Sequence, residues 1–133
     1  MNTPLTLLND LTPEVFLAEY WQKKPLLIRQ ALPSFEGLLT PNELAGLACE
    51  EDVESRIIQQ LKTGWHVEDG PFAEDDLTSL PDADWTLLVQ SVNHHLPEAA
   101  ALLSQFNFIP HARMDDLMVS YAPVGGSVGA HLD

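Results

Sequence analysis

The sequence is poor in cysteine and in long apolar runs, and each shortage excludes a class of protein. The single cysteine, Cys49, cannot form a disulfide within the chain, which is typical of proteins in a reducing compartment. No stretch approaches the ~20 consecutive apolar residues of a transmembrane helix, and the start carries no positively charged, apolar leader. We therefore expect a cytoplasmic protein without membrane contact.

Positive charge is also scarce. Six lysine and arginine side chains stand against twenty aspartate and glutamate side chains, which gives a formal net charge of -14. Eleven of the acids lie between Glu50 and Asp84, where only Arg56 and Lys62 offset them. Such a surface repels phosphate backbones, so we expect no direct nucleic-acid binding. It would attract a basic protein partner, although an acidic surface that only confers solubility explains the same pattern.

Several catalytic signatures are absent as well. The chain has no glycine-rich phosphate loop, no Ser/His/Asp arrangement in a known order and no Cys-x-x-Cys pair. Candidate chemistry must therefore come from other residues.

The apolar spacing predicts an α+β domain. Thr12-Pro13 and Thr40-Pro41 are typical helix starts, and Glu43 completes a capping box with Thr40. The pattern further predicts a buried strand over 26–28, a hairpin of strands 56–61 and 65–67, a helix over 85–96 capped by Asp84, a helix from Pro97 and a strand over 117–121. We expect one unit over 1–133, helical to about residue 110, with strands of a sheet beginning after it.

The most informative motif is His131-Leu132-Asp133, after the Gly125-Gly126 turn. In a strand, side chains two residues apart point to the same face, so His131 and Asp133 would share one cavity. Imidazole and carboxylate are two of the three ligands of the facial triad that holds Fe(II). The tripeptide alone is common by chance, so its context must decide.

Ser120 is the second candidate, in the strand that precedes the turn. If its face looks into the cavity of His131 and Asp133, its hydroxyl can bond a carboxylate cosubstrate. The alternative is an exposed strand serine without a role.

Residues 115–133, with Ser120, Gly125-Gly126 and His131-Leu132-Asp133, resemble the JmjC-type cupin family in its bacterial ribosomal oxygenase branch. The upstream segments 21–29, 43–48, 70–72 and 85–94 resemble the same family in the same order. The similarity is to the N-terminal part of the family.

This resemblance implies an oxygenase that uses Fe(II) and 2-oxoglutarate on an incomplete double-stranded β-helix. Its activity would be hydroxylation of an arginine side chain in a basic ribosomal protein, the sixteenth of the large subunit. His131 and Asp133 match the family's first two iron ligands, and Ser120 matches a position that contacts 2-oxoglutarate. The third ligand, a histidine, the 2-oxoglutarate-binding arginine and the dimerisation region match nothing in the 133 residues, so the resemblance implies a homodimer only for a longer version.

We therefore expect these 133 residues alone to be inactive as an oxygenase. Two other functions remain open from the sequence. The chain could be a non-catalytic acidic module that binds basic proteins, or a cupin of another activity such as a metal-dependent isomerase.

Overall fold

The computed structural model describes residues 2–132, and within them four helices and four strands follow one another in the order helix, helix, strand, strand, helix, strand, helix, strand. The helices are α1 (Pro13–Glu19), α2 (Pro41–Ala48), α3 (Glu74–Thr78) and α4 (Pro97–Ser104). The strands are β1 (Ser55–Leu61), β2 (Gly64–Asp69), β3 (Trp85–Val89) and β4 (Val119–Tyr121), and single 3-10 turns cover Thr6–Leu8, Val92–His94 and His111–Arg113. The predicted α+β class is confirmed.

Both predicted helix starts are confirmed by their capping bonds. The Thr12 hydroxyl accepts a hydrogen bond from the Val15 backbone over 3.2 Å. At α2 the Glu43 backbone donates to the Thr40 hydroxyl, and the Thr40 backbone donates to the Glu43 carboxylate. These side chains satisfy N–H groups that have no partner inside the helix, which fixes where each helix begins.

The strands form one antiparallel sheet in the order β2-β1-β3-β4. The predicted hairpin is confirmed, because β1 and β2 pair from Arg56 with Asp69 to Leu61 with Gly64. On the other side of β1, Arg56 lies opposite Leu88 of β3, and Leu88 lies opposite Ser120 of β4. This register decides which side chains share a face of the sheet.

One face of the sheet forms the hydrophobic core with α2 and α4. Because side chains alternate along a strand, Ile57, Leu87 and Val89 point to this face and are buried. The other members of the core cluster come from the helices and loops around it: Leu44, Ala48, Val53, Phe72, Val92 and Ala99. The inner face is thus closed, and the opposite, outer face is left for a site.

The predicted helix over 85–96 is wrong. Residues 85–89 are strand β3, Ser91 adopts a left-handed backbone at φ 53°, and a 3-10 turn follows at Val92–His94. The physical reason is that β3 lies between β1 and β4 and buries both of its faces. A strand buried on both sides shows a continuous apolar run, which cannot be distinguished from a buried helix by periodicity alone.

Two smaller predictions also fail. No strand is assigned to residues 26–28, where Leu27 is 75% exposed. The chain was expected to be helical up to about residue 110, but three of the four strands in residues 2–132 precede that point.

The predicted strand over 117–121 is confirmed as the shorter β4. Over the described part of the chain, no helix is long and apolar enough to cross a membrane.

Candidate active site

The outer face of the sheet carries the side chains that alternate with the core. Arg56 and Ile58 of β1 lie opposite Leu88 and Thr86 of β3, and Ser120 of β4 lies opposite Leu88. Residues that are directly paired across an antiparallel sheet point to the same side. Three strands therefore contribute to one face on which Ser120 lies.

The segment after β4 crosses over this face. The Thr86 hydroxyl donates to the Ser127 carbonyl over 3.4 Å, and the backbone of Gly129 passes close to the Trp65 ring of β2. As a result Thr86 and Leu88 are only 3% and 6% exposed, although they point away from the core. The crossing segment and the sheet enclose a space between them.

His131 lies at the end of this crossing segment. Its Nδ1 is 3.0 Å from the Gly129 carbonyl oxygen. When Nδ1 carries the proton, it donates to that carbonyl and the lone pair is on Nε2. Histidines that bind metals are commonly held in this way, with the second ring nitrogen donating to a backbone carbonyl. The local backbone of residues 129–131 thus suits His131 as a metal ligand.

A cavity of about 370 Å³ lies between the sheet and the crossing segment. Its walls are both polar and apolar, and its lining includes His131 together with Leu88 of the outer face. The lining residues are Arg56, Ile58, Leu88, Gln90, Met118, Val128 and His131. A site with a few polar groups in a largely apolar wall is typical of small-molecule binding.

The structure brings two of the three predicted site residues to the same side of the sheet. His131 lines the cavity, and Ser120 lies on the outer face beside Leu88, which lines the cavity too. Asp133, the third, lies outside the described residues. The motif was expected to lie in a strand, but no strand is assigned to His131. Strand β4, which precedes the motif, pairs with β3. In residues 2–132 no three His, Cys, Asp or Glu side chains are grouped closely enough to hold a metal ion.

Comparison with known proteins shows which proteins this chain is similar to in sequence. The chain is 46% identical over 124 residues to the probable ribosomal oxygenase of Haemophilus influenzae, covering 92% of this chain and 30% of that protein. It is 43% identical over 118 residues to the ribosomal protein uL16 3-hydroxylase of Escherichia coli, covering 89% of this chain and 31% of that protein. No protein-family model matches the chain.

Solved structures agree. The Escherichia coli ribosomal oxygenase YcfD in complex with cobalt and succinic acid superimposes with a TM-score of 0.85 at 42% identity. That match covers 92% of this chain and 34% of the solved chain. The complex of YcfD with cobalt and 2-oxoglutarate gives a TM-score of 0.84 at the same identity. The chain is homologous to the bacterial ribosomal oxygenases.

The homology to ribosomal oxygenases confirms the resemblance seen in the sequence and, with it, the JmjC-type cupin architecture. The chain spans about 30% of the length of the curated relatives it matches.

Sequence reasoning missed the two other polar residues of the cavity, Arg56 and Gln90. Arg56 was noted only as a charge that offsets acids, and Gln90 fell inside the predicted helix. The signal for Arg56 was available, because the predicted hairpin already put Arg56 and Ile58 on one face of a strand. Gln90 could not be placed, since its position depends on β3 being a strand.

Proposed function

We propose that this protein is part of an Fe(II)- and 2-oxoglutarate-dependent oxygenase that hydroxylates an arginine side chain of a large-subunit ribosomal protein. The observation that carries this proposal is the position of His131 over the sheet face that bears Ser120, in a chain homologous to ribosomal oxygenases. The relatives' solved complexes with cobalt and 2-oxoglutarate support the choice of cofactors.

His131 and Asp133 would hold the metal. An imidazole and a carboxylate are suited to Fe(II), and a facial triad leaves coordination positions open for cosubstrate and oxygen. The Gly129 carbonyl supports this role because it fixes the His131 ring through Nδ1. When bound, Fe(II) and 2-oxoglutarate would activate dioxygen, which is the oxidant: decarboxylation of 2-oxoglutarate to succinate would take up one oxygen atom, and the other would hydroxylate an unactivated C–H bond.

Ser120, on the face beside the cavity, would bind the cosubstrate, and apolar residues of the cavity would shield the site. The Ser120 hydroxyl would donate to a carboxylate of 2-oxoglutarate from β4. Ile58, Leu88 and Val128 provide apolar walls in the cavity beside His131. Apolar walls exclude water, which strengthens polar interactions within the site and prevents side reactions.

The charge of the chain supports a basic protein substrate. The relative from Escherichia coli is named for hydroxylation of the ribosomal protein uL16. A net charge of -14 would attract a basic protein by electrostatic steering. We propose that the substrate is the uL16 protein of the same organism. The activity would take place in the cytoplasm, where ribosomes are made, and would involve no direct binding of nucleic acid or membrane.

A facial triad takes three protein ligands, and in this proposal the 133 residues supply two. We therefore expect these residues alone to bind Fe(II) weakly and to show no turnover. A longer protein that adds a third ligand would be active, and dimerisation is expected of that longer form.

The test measures succinate formed from 2-oxoglutarate in the presence of Fe(II) and an arginine-containing uL16 peptide. A longer protein that contains this chain should form succinate and add one oxygen to the peptide, whereas the 133-residue chain should not. His131→Ala in the longer protein should abolish both products, and His111→Ala, in the exposed turn at His111–Arg113, serves as the matched control. Full activity of the His131→Ala protein would contradict the proposal.

A further inference from the structure

A cationic side chain lies in the cavity of His131, and none of the roles above uses it. Arg56 is paired with Leu88 across β1 and β3, so its side chain belongs to the outer face. The cavity lining contains Arg56 and Gln90 together with His131. Two side chains that donate hydrogen bonds thus lie in a cavity whose other walls are mainly apolar.

The hydrogen-bonding capacity of Arg56 is not filled by residues 2–132. Its ion-pair partner is Glu54, whose Oε1 lies 3.8 Å from a terminal nitrogen, outside hydrogen-bond distance. The Glu54 side chain is mainly exposed, so the pair is screened by water. The Nε atom of Arg56 is enclosed and has no hydrogen-bond partner in the described chain. An enclosed donor without an acceptor is unfavourable, and an acceptor brought by a ligand would relieve it.

Charge favours an anion at this place. The chain as a whole repels anions, since its net charge is -14. Of the described residues that line the cavity, Arg56 alone is a lysine or arginine. A carboxylate that enters this cavity therefore meets the charge of Arg56, while the acidic neighbours of Arg56, Glu54 and its cross-strand partner Asp69, lie outside the cavity lining.

We propose that Arg56, with Gln90, binds a carboxylate group of a short aliphatic dicarboxylic acid, the class that includes 2-oxoglutarate and its product succinate. The guanidinium fork matches a carboxylate with two parallel N–H bonds, and the Gln90 amide can donate a further one. Ile58 and Met118 line the same cavity and suit the methylene groups of such an acid. The inference rests on the proposed function, and it assigns to this chain a cosubstrate-binding cation additional to the arginine that the family resemblance places outside it.

The test is calorimetric titration of succinate into the protein, once without metal and once with Co(II). Arg56→Gln should weaken succinate binding by about ten-fold or more, because a charge-assisted bidentate contact is lost. Arg56→Lys keeps the charge but loses the fork, so it should weaken binding by a smaller factor, about three-fold. Lys62→Gln is the matched control, since it removes the same charge from the exposed turn between β1 and β2 and should leave the affinity within about two-fold.

Three outcomes would overturn the inference: no binding of succinate to the unmodified protein, unchanged affinity in Arg56→Gln, or an equal loss in Lys62→Gln. If thermal melting shows that Arg56→Gln does not fold, the comparison of Arg56→Lys with the unmodified protein carries the test. Succinate binding that depends on Arg56 without any turnover in the longer protein would contradict the oxygenase and leave the carboxylate site in place. Turnover in the longer protein together with unchanged succinate affinity in Arg56→Gln would support the oxygenase and contradict the carboxylate site.

Discussion

The backbone N–H of Asp84 donates a hydrogen bond to the carbonyl of Val124 over 3.0 Å. Asp84 precedes β3 in a left-handed conformation at φ 68°, and its own carbonyl accepts from the backbone of Gln60 over 3.0 Å. One residue thus joins β1, the start of β3 and the turn after β4. That turn sets the direction of the segment that carries His131 across the sheet.

Gly125→Ala should destabilise this turn. Gly125 has a φ of 77°, which side-chain-bearing residues rarely adopt, and an added methyl group would overlap the Asp84 carboxylate. We expect a loss of about 2–3 kcal/mol in the free energy of unfolding, measured by urea denaturation. Binding of Co(II) should weaken as well, because the position of His131 depends on the turn.

Gly37→Ala is the control for that substitution. Gly37 also has a positive φ, 103°, but an added methyl group there meets no atom within 4 Å. It should therefore show only the backbone cost, about 1 kcal/mol. Equal losses in both variants would mean that contact with Asp84 is not what requires glycine at position 125.

Ser120→Ala should weaken 2-oxoglutarate binding without changing metal affinity. The hydroxyl of Ser120 lies on the face beside the cavity, and its loss removes one hydrogen bond to a carboxylate. We expect an increase of about three- to ten-fold in the dissociation constant of 2-oxoglutarate, measured by calorimetry with Co(II). Ser104→Ala, on the exposed end of α4, should leave the constant unchanged. A simultaneous loss of Co(II) affinity in Ser120→Ala would argue against a role in cosubstrate binding.

Local signals in the sequence predicted the elements whose ends are fixed by local chemistry. Thr12 and Thr40 were identified as helix caps because a cap is made within four residues of chain. The β1–β2 hairpin was identified because two strand patterns flank Thr63-Gly64, a local turn signal, and the structure places the turn at Lys62-Thr63 with Gly64 opening β2. Strand β3 was not identified, because residues 85–89 form a strand only through burial between β1 and β4. In the sequence, more than twenty residues separate β1 from β3, and the α4 region separates β3 from β4.

The candidate site shows the same division. His131 and Ser120 were predicted as site residues from a motif and a resemblance, and their assignment remains a prediction. The part of the cavity formed by Arg56 and Gln90 exists only because β1 and β3 pair in one register. A register between strands that are distant in sequence depends on the whole fold, so no local pattern contains it.

Val89→Ala should destabilise the whole sheet. Val89 is 0% exposed, lies in the central strand β3 and belongs to the core cluster that joins the sheet to α2 and α4. Removing two methyl groups leaves a cavity in close-packed surroundings, so we expect a loss of about 1–3 kcal/mol in the free energy of unfolding. Val124→Ala is the matched control at a site that is 79% exposed, where the change should stay within about 0.5 kcal/mol. Equal effects would show that the face assigned to the core is not closed.

Glu43→Gln should remove a stabilising contribution that depends on pH. The Thr40 backbone N–H donates to the Glu43 carboxylate, and this bond, together with the bond to the Thr40 side chain, holds the pKa of Glu43 below its ordinary value of 4.5. A pKa that is lower in the folded state means that the unfolded state binds more protons in acid. The contribution is therefore present above the ordinary pKa and is lost as the pH falls through the folded value. Urea denaturation should show the unmodified protein to be more stable than Glu43→Gln at about pH 6, with the difference shrinking toward about pH 3.

Thr40→Val tests the other half of the same capping box. It removes the hydroxyl that accepts from the Glu43 backbone, so the helix start loses one bond and the Glu43 carboxylate loses one of the groups that lower its pKa. In the Thr40→Val background, Glu43→Gln should therefore cost less stability at about pH 6 than it does in the unmodified protein, because the two side chains act as a unit. If Glu43→Gln changes the stability of the unmodified protein by the same amount at about pH 6 and at about pH 3, the charge of Glu43 contributes nothing to the stability of α2.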